Sequence, residues 1–60
     1  MGIKYLKKLN GKTADEWFNI ALNEKDLNKQ VKFYSNHLKL NLSNINALNN
    51  KGFAFFSLEK

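Results

Sequence analysis

The sequence predicts an all-α fold built from antiparallel helical hairpins, and three observations support this fold class. Apolar residues recur at the helical interval of about 3.6 residues from Trp17 to Leu58. Residues that favour helix N-termini precede each of the three long periodic segments. The chain has no proline and no strand-like alternation of useful length. Because the connections between these segments are short, neighbouring helices are expected to run antiparallel.

Residues 1–12 are predicted to form a short basic N-terminal helix or an extension. Ile3, Leu6 and Leu9 recur every three residues beside lysines that are spaced by four. The pair Asn10-Gly11 is a favourable helix stop, because both residue types tolerate the left-handed backbone that often ends a helix. A short strand is the alternative for this segment.

Residues 13–44 are predicted to form one helical hairpin. Thr13 and Glu16 have the spacing of a capping box, in which each side chain satisfies a free backbone N–H at the helix start. Asp26 is a good N-cap for the second helix. The first helix carries a row at Trp17, Ile20, Ala21 and Glu24, and the second a row at Leu27, Val31, Tyr34 and Leu38. These rows predict the packed faces.

Residues 45–60 are predicted to form a last helix, capped by Ser43 or Asn44. Its packing line is predicted at Ile45, Leu48, Gly52 and Phe55. A glycine inside such a line is expected where a second helix comes close. Phe53 and Phe56 lie on other sides of this helix, so an apolar patch is expected to remain exposed and to favour self-association.

Composition limits the function classes. The chain has 60 residues, a net charge of +5, ten lysines, no arginine and no cysteine. Without cysteine there is no disulfide or thiolate–metal staple, and the single histidine excludes the usual four-ligand zinc site. The longest apolar stretch is far shorter than the roughly 20 residues that span a bilayer. We therefore expect a cytoplasmic protein that does not enter the membrane.

The segment from Leu38 to Lys60 resembles the junction between two tetratricopeptide repeats. Leu38, Leu40 and Asn41 match the end of a second repeat helix, and residues 47–52, Ala-Leu-Asn-Asn-Lys-Gly, match the opening of the next repeat. Leu42 stands where the family has proline. Upstream, Trp17 to Ala21 fit the first-helix signature, yet Ala21 and Gly52 are 31 residues apart and the family repeat is about 34. Either one connection is short or this repeat is degenerate.

The resemblance implies an interaction module in which first helices line a concave, peptide-binding surface of an α-solenoid. Residues 13–44 would be a degenerate repeat, and residues 45–60 the first helix of an incomplete second one. The predicted peptide-binding residues share one side of this last helix, and they are Asn46, Asn49, Asn50 and Phe53. Their partner is expected to be a protein or peptide, with a weak preference for acidic groups.

Two other functions compete with peptide binding. A small basic helical domain that binds nucleic acid would suit the net charge, although the chain lacks the arginine that reads base edges. A self-associating fragment without a ligand is the other alternative. No enzyme is expected, because neither serine nor cysteine is placed as a nucleophile beside His37. No cofactor or metal is expected either. His37 is predicted to be a surface or interhelical residue, and Trp17 a packing anchor.

Overall fold

The computed structural model describes residues 7–59, which form a small β-hairpin followed by three helices. The elements are β1 (Lys8–Leu9), β2 (Lys12–Thr13), α1 (Ala14–Asn23), α2 (Leu27–Leu40) and α3 (Ile45–Leu58). The predicted helical character is confirmed, and the three long helices begin and end close to their predicted positions. Within the described part of the chain, no helix has the length and apolar character needed to cross a membrane.

The N-terminal segment differs from its prediction. Residues 8–13 form an antiparallel hairpin that pairs Lys8 with Thr13 and Leu9 with Lys12, and residues 1–6 of the predicted helix lie outside the described residues. Asn10 and Gly11 have φ angles of 52° and 80°. Positive φ at both central residues is the requirement of the two-residue turn that joins twisted strands. The Asn10-Gly11 pair therefore turns a hairpin, and the prediction that it ends a helix is wrong.

The three predicted caps are confirmed. The Thr13 hydroxyl accepts from the Glu16 amide at 3.2 Å, and the Glu16 carboxylate accepts from the Thr13 amide at 2.7 Å. The bond from the Thr13 amide holds the pKa of Glu16 below its usual value, because it favours the charged carboxylate. Asp26 caps α2 and Asn44 caps α3. Each helix start is thus fixed by residues within a few positions in sequence.

The central helix, α2, packs against both α1 and α3, whereas α1 and α3 barely touch each other. The core cluster contains Ala21 from α1, Tyr34 and Leu38 from α2, and Ala47 from α3. Connections of three and four residues join the helices, so each packed pair is a hairpin. The stacking of hairpins in the manner of tetratricopeptide repeats stays a prediction.

Trp17 is a packing anchor, as predicted, and is 6% exposed. Its indole nitrogen donates to the Leu9 carbonyl at 2.9 Å, and its ring centroid lies 5.6 Å from that of Phe33. The ammonium of Lys12 lies over the Trp17 ring, 5.1 Å from its centroid. Trp17 therefore ties the hairpin to both α1 and α2.

His37 is the most deeply buried large side chain of the described residues and joins all three helices. Its Nδ1 lies 2.8 Å from the Ala14 carbonyl oxygen at the start of α1. Its Nε2 lies 2.9 Å from the side-chain nitrogen of Asn44, whose oxygen accepts from the Ala47 amide. A carbonyl only accepts, so Nδ1 carries the proton, and Nε2 accepts from Asn44. This bonding places the imidazole between the helices, in agreement with the predicted interhelical role.

Candidate functional site

The face that α3 turns toward α2 consists of small and polar residues. Ala47 and Ala54 are buried, and the half-buried Asn50 donates from its amide nitrogen to the Tyr34 hydroxyl at 3.3 Å. The predicted packing line is wrong, because Leu48 is 51% exposed and Phe55 is 47% exposed. Alanine side chains are small, so they let the axes of α2 and α3 approach closely. This close approach favours packing of the face with Ala47 and Ala54 over the face with Leu48 and Phe55.

Gly52 does not mark a close approach within the chain, which is a second correction. Apart from its chain neighbours and the adjacent backbone of α3, a Cβ placed on Gly52 would meet no atom of the described residues within 4 Å. The glycine lies on the exposed side of α3 together with Leu48 and Phe55. Bulkier side chains at this position are therefore compatible with the fold of a single chain.

The four predicted peptide-binding residues lie on one side of α3, but only two of them reach a concave surface. Asn50 and Phe53 line an open cleft of about 240 Å³, whereas Asn46 and Asn49 lie exposed outside it. The remaining lining residues are Leu22, Gln30, Tyr34 and Ala54. The structure thus brings together the end of α1, the first half of α2 and the middle of α3.

The cleft has apolar walls and a polar floor. Leu22 and Phe53 are 52% and 73% exposed and form the walls. On the floor, Gln30 donates from its amide nitrogen to the Glu24 carbonyl at 2.7 Å, which leaves its amide oxygen as an acceptor. Asn50 keeps its amide oxygen and one N–H for a ligand after its bond to Tyr34. These groups can hold an apolar side chain and hydrogen-bond to a neighbouring peptide group.

Leu22 and Gln30 were not predicted as site residues from the sequence. Gln30 precedes Tyr34 by four residues, so the two share one side of α2. That spacing is the one local signal that could have identified Gln30, and it would not have indicated that α3 faces the same cleft.

A second surface, on α2, is basic. Lys29, Lys32 and Lys39 are exposed and, with Asn36, have the spacing of one helix face. Among the described residues, no carboxylate forms an ion pair with these lysines.

No group of three or more of the described residues could hold a metal ion. Comparisons of the chain with protein families, curated proteins and solved structures found no match.

Proposed function

We propose that this chain is a protein-interaction module that binds a short peptide segment in the cleft between α1 and α3. The observation that carries the proposal is the pairing of two exposed apolar walls, Leu22 and Phe53, with free amide groups on the floor. Apolar burial supplies most of the free energy of such contacts, and the amides fix the orientation of the bound backbone.

The volume of the cleft and the net charge of the chain limit the ligand. A volume of about 240 Å³ is below the roughly 300–1,000 Å³ of ordinary small-molecule pockets. It accommodates one apolar side chain with its adjoining peptide groups. The net charge of +5 favours segments with acidic residues around that side chain, through an attraction that salt screens. The resemblance to tetratricopeptide repeats, in which first helices bind peptides, supports the same assignment for α3.

The test begins with a displayed library of random peptides, selected on the full chain at low salt. We expect enriched sequences with one apolar residue beside acidic ones. For an enriched peptide, Phe53→Ala should weaken binding about tenfold, which corresponds to about 1.4 kcal/mol. Asn50→Ala should weaken binding as well, while helicity measured by circular dichroism remains close to that of the unchanged chain.

Leu42→Ala provides the matched control, because Leu42 is 81% exposed and lies outside the cleft. Its peptide affinity should equal that of the unchanged chain. Equal weakening by Phe53→Ala and Leu42→Ala would contradict a site in the cleft. Loss of binding that follows loss of helicity in every variant would instead make these positions structural.

Polyanion binding is the second candidate function, and the lysine row on α2 favours it. Lys29, Lys32 and Lys39 are exposed along one face and could contact successive phosphates. Three such contacts predict that the logarithm of the binding constant falls with the logarithm of salt concentration with a slope of about −3.

Titration of a random DNA duplex at several salt concentrations tests this function. The double variant Lys29→Gln with Lys32→Gln should reduce the slope by about 2 if these lysines contact phosphates. A pair that removes the same charge elsewhere, Lys8→Gln with Lys51→Gln, is the control. Equal effects of the two pairs would mean that only net charge matters and that the row is not a site.

A further inference from the structure

A row of apolar residues on α3 remains open along the whole helix. Ile45, Leu48 and Phe55 are 68%, 51% and 47% exposed, and Gly52 lies among them. The intervals along this row are three, four and three residues. Such alternation is the a/d spacing of a helix seam that packs against another helix. The row lies on the opposite side of α3 from the predicted peptide-binding residues.

The row is suited to pairing with a copy of itself. Its bulky side chains, Leu48 and Phe55, stand on either side of Gly52, above which the structure leaves open space. If two such rows meet in opposite directions, the bulky residues of one helix lie beside those of the other, and the two glycines face each other at the centre. A surface that complements itself in this way produces a closed dimer with two-fold symmetry.

We propose that two copies of this chain associate through α3, with the helices antiparallel and Gly52 facing the partner's Gly52. Leu48 then packs against the partner's Phe55, and the small glycines allow the helix axes to approach closely. The dimer covers the apolar row and leaves the cleft between α1 and α3 accessible. The inference is independent of the peptide-binding proposal, because the two surfaces use different sides of α3.

The distribution of charge favours the antiparallel orientation. Glu59 follows α3 and continues the row at its C-terminal end. In an antiparallel pair it lies near the N-terminus of the partner's α3, where free N–H groups and the helix dipole attract negative charge. Lys51 is the one lysine of α3, and it flanks the row with its ammonium 5.9 Å from the centroid of the Phe55 ring. Ile45, Leu48, Gly52 and Phe55 are uncharged, so the net charge of +5 lies mostly away from the interface.

The seam is short, so the dimer is expected to be weak. A helix of 14 residues is about 21 Å long. Such a seam covers less than the roughly 800 Å² per partner of a stable specific interface, so we expect a dissociation constant on the order of 100 µM. Added salt should strengthen the dimer, because it screens the repulsion between two cationic chains and leaves apolar contacts intact.

Sedimentation of the full chain tests the association. Concentrations from about 5 µM to about 1 mM span the expected dissociation constant of the dimer. We expect a monomer–dimer equilibrium. Gly52→Lys should abolish the dimer, because two ammonium groups would meet at its centre. The same substitution should raise the thermal midpoint of the monomer, since lysine favours helix more than glycine does and the site is open. Asn19→Lys adds the same charge on an exposed position of α1 and should leave the dimer nearly unchanged.

Each alternative result overturns a defined part of the proposal. A monomer throughout the concentration range, or a dimer that survives Gly52→Lys, would exclude α3 pairing. Oligomers that grow without limit would exclude the two-fold arrangement. Since the chain has no cysteine, Ile45→Cys and Glu59→Cys chains can be mixed under oxidation to determine the orientation. Mixed disulfides between the two variants support the antiparallel pair, and a preference for linked Ile45→Cys homodimers would contradict it.

Discussion

Replacing His37 with alanine is expected to destabilise the chain by about 3 kcal/mol, because the change leaves a buried cavity and breaks two hydrogen bonds. The ring is 1% exposed and bonds to both the Ala14 carbonyl and the Asn44 side chain. A domain of this size has a total stability of only about 3–5 kcal/mol. His37→Ala should therefore retain at most about 2 kcal/mol of stability, and its unfolding midpoint in a urea titration of the circular dichroism helical signal should be much lower than that of the unchanged chain.

Two further variants separate the hydrogen bonds from the volume of the ring. His37→Phe keeps a ring of similar shape but leaves Ala14 and Asn44 without their partner, so it should lose about 1–3 kcal/mol. Lys39→Ala, on an exposed position of the same helix turn, should change the unfolding midpoint little. A His37→Phe chain as stable as the unchanged protein would show that packing alone accounts for the role of His37.

Ala47→Leu is expected to cost about 1–3 kcal/mol, because it forces three carbon atoms into a well-packed helix contact. Ala47 has no exposed surface and belongs to the core cluster with Tyr34 and Leu38. The added side chain should push α3 away from α2. Thermal unfolding followed by circular dichroism should show a clearly lower midpoint, and the bond between Asn50 and Tyr34 should weaken as the helices separate.

The neighbouring substitution Leu48→Ala is the matched control, since Leu48 is half exposed. It should cost less than about 1 kcal/mol at protein concentrations where the chain is monomeric. The two variants together determine which face of α3 is packed. If Leu48→Ala were the more damaging change in the monomer, α3 would be rotated by about one residue, 100° around its axis, relative to the structure.

Helix boundaries could be predicted because their causes are local in sequence. Thr13, Asp26 and Asn44 each bond to an amide two or three residues ahead, so residue type and spacing identify the cap. The hairpin around Asn10 and Gly11 could not be distinguished from a helix end by the same reasoning. Both structures use positive φ at these residue types, and the deciding contact is Trp17 with the Leu9 carbonyl, eight residues away.

The orientation of α3 could not be predicted from its own residues. Hydrophobicity favours Leu48 and Phe55 as the packed line, whereas the structure packs Ala47 and Ala54. Which face of α3 packs depends on how closely α2 can approach it, and this distance depends on the residues of both helices. For the same reason, the sequence predicted Asn50 and Phe53 in the candidate site but did not predict that Leu22 would face them across α2.

The alanine face of α3 also affects the order in which the native structure opens. Ala47 and Ala54 are the buried apolar residues of this helix, and each methyl group removes little surface from water. Because α2 contacts both other helices, detaching α3 leaves α1, α2 and the hairpin in contact through Trp17, Phe18 and Phe33. We therefore expect α3 to be the least stable helix of the described chain, with amide protons that exchange with solvent before those of α2. A ligand in the cleft or a second copy on the apolar row would each slow that exchange, because both stabilise the docked helix.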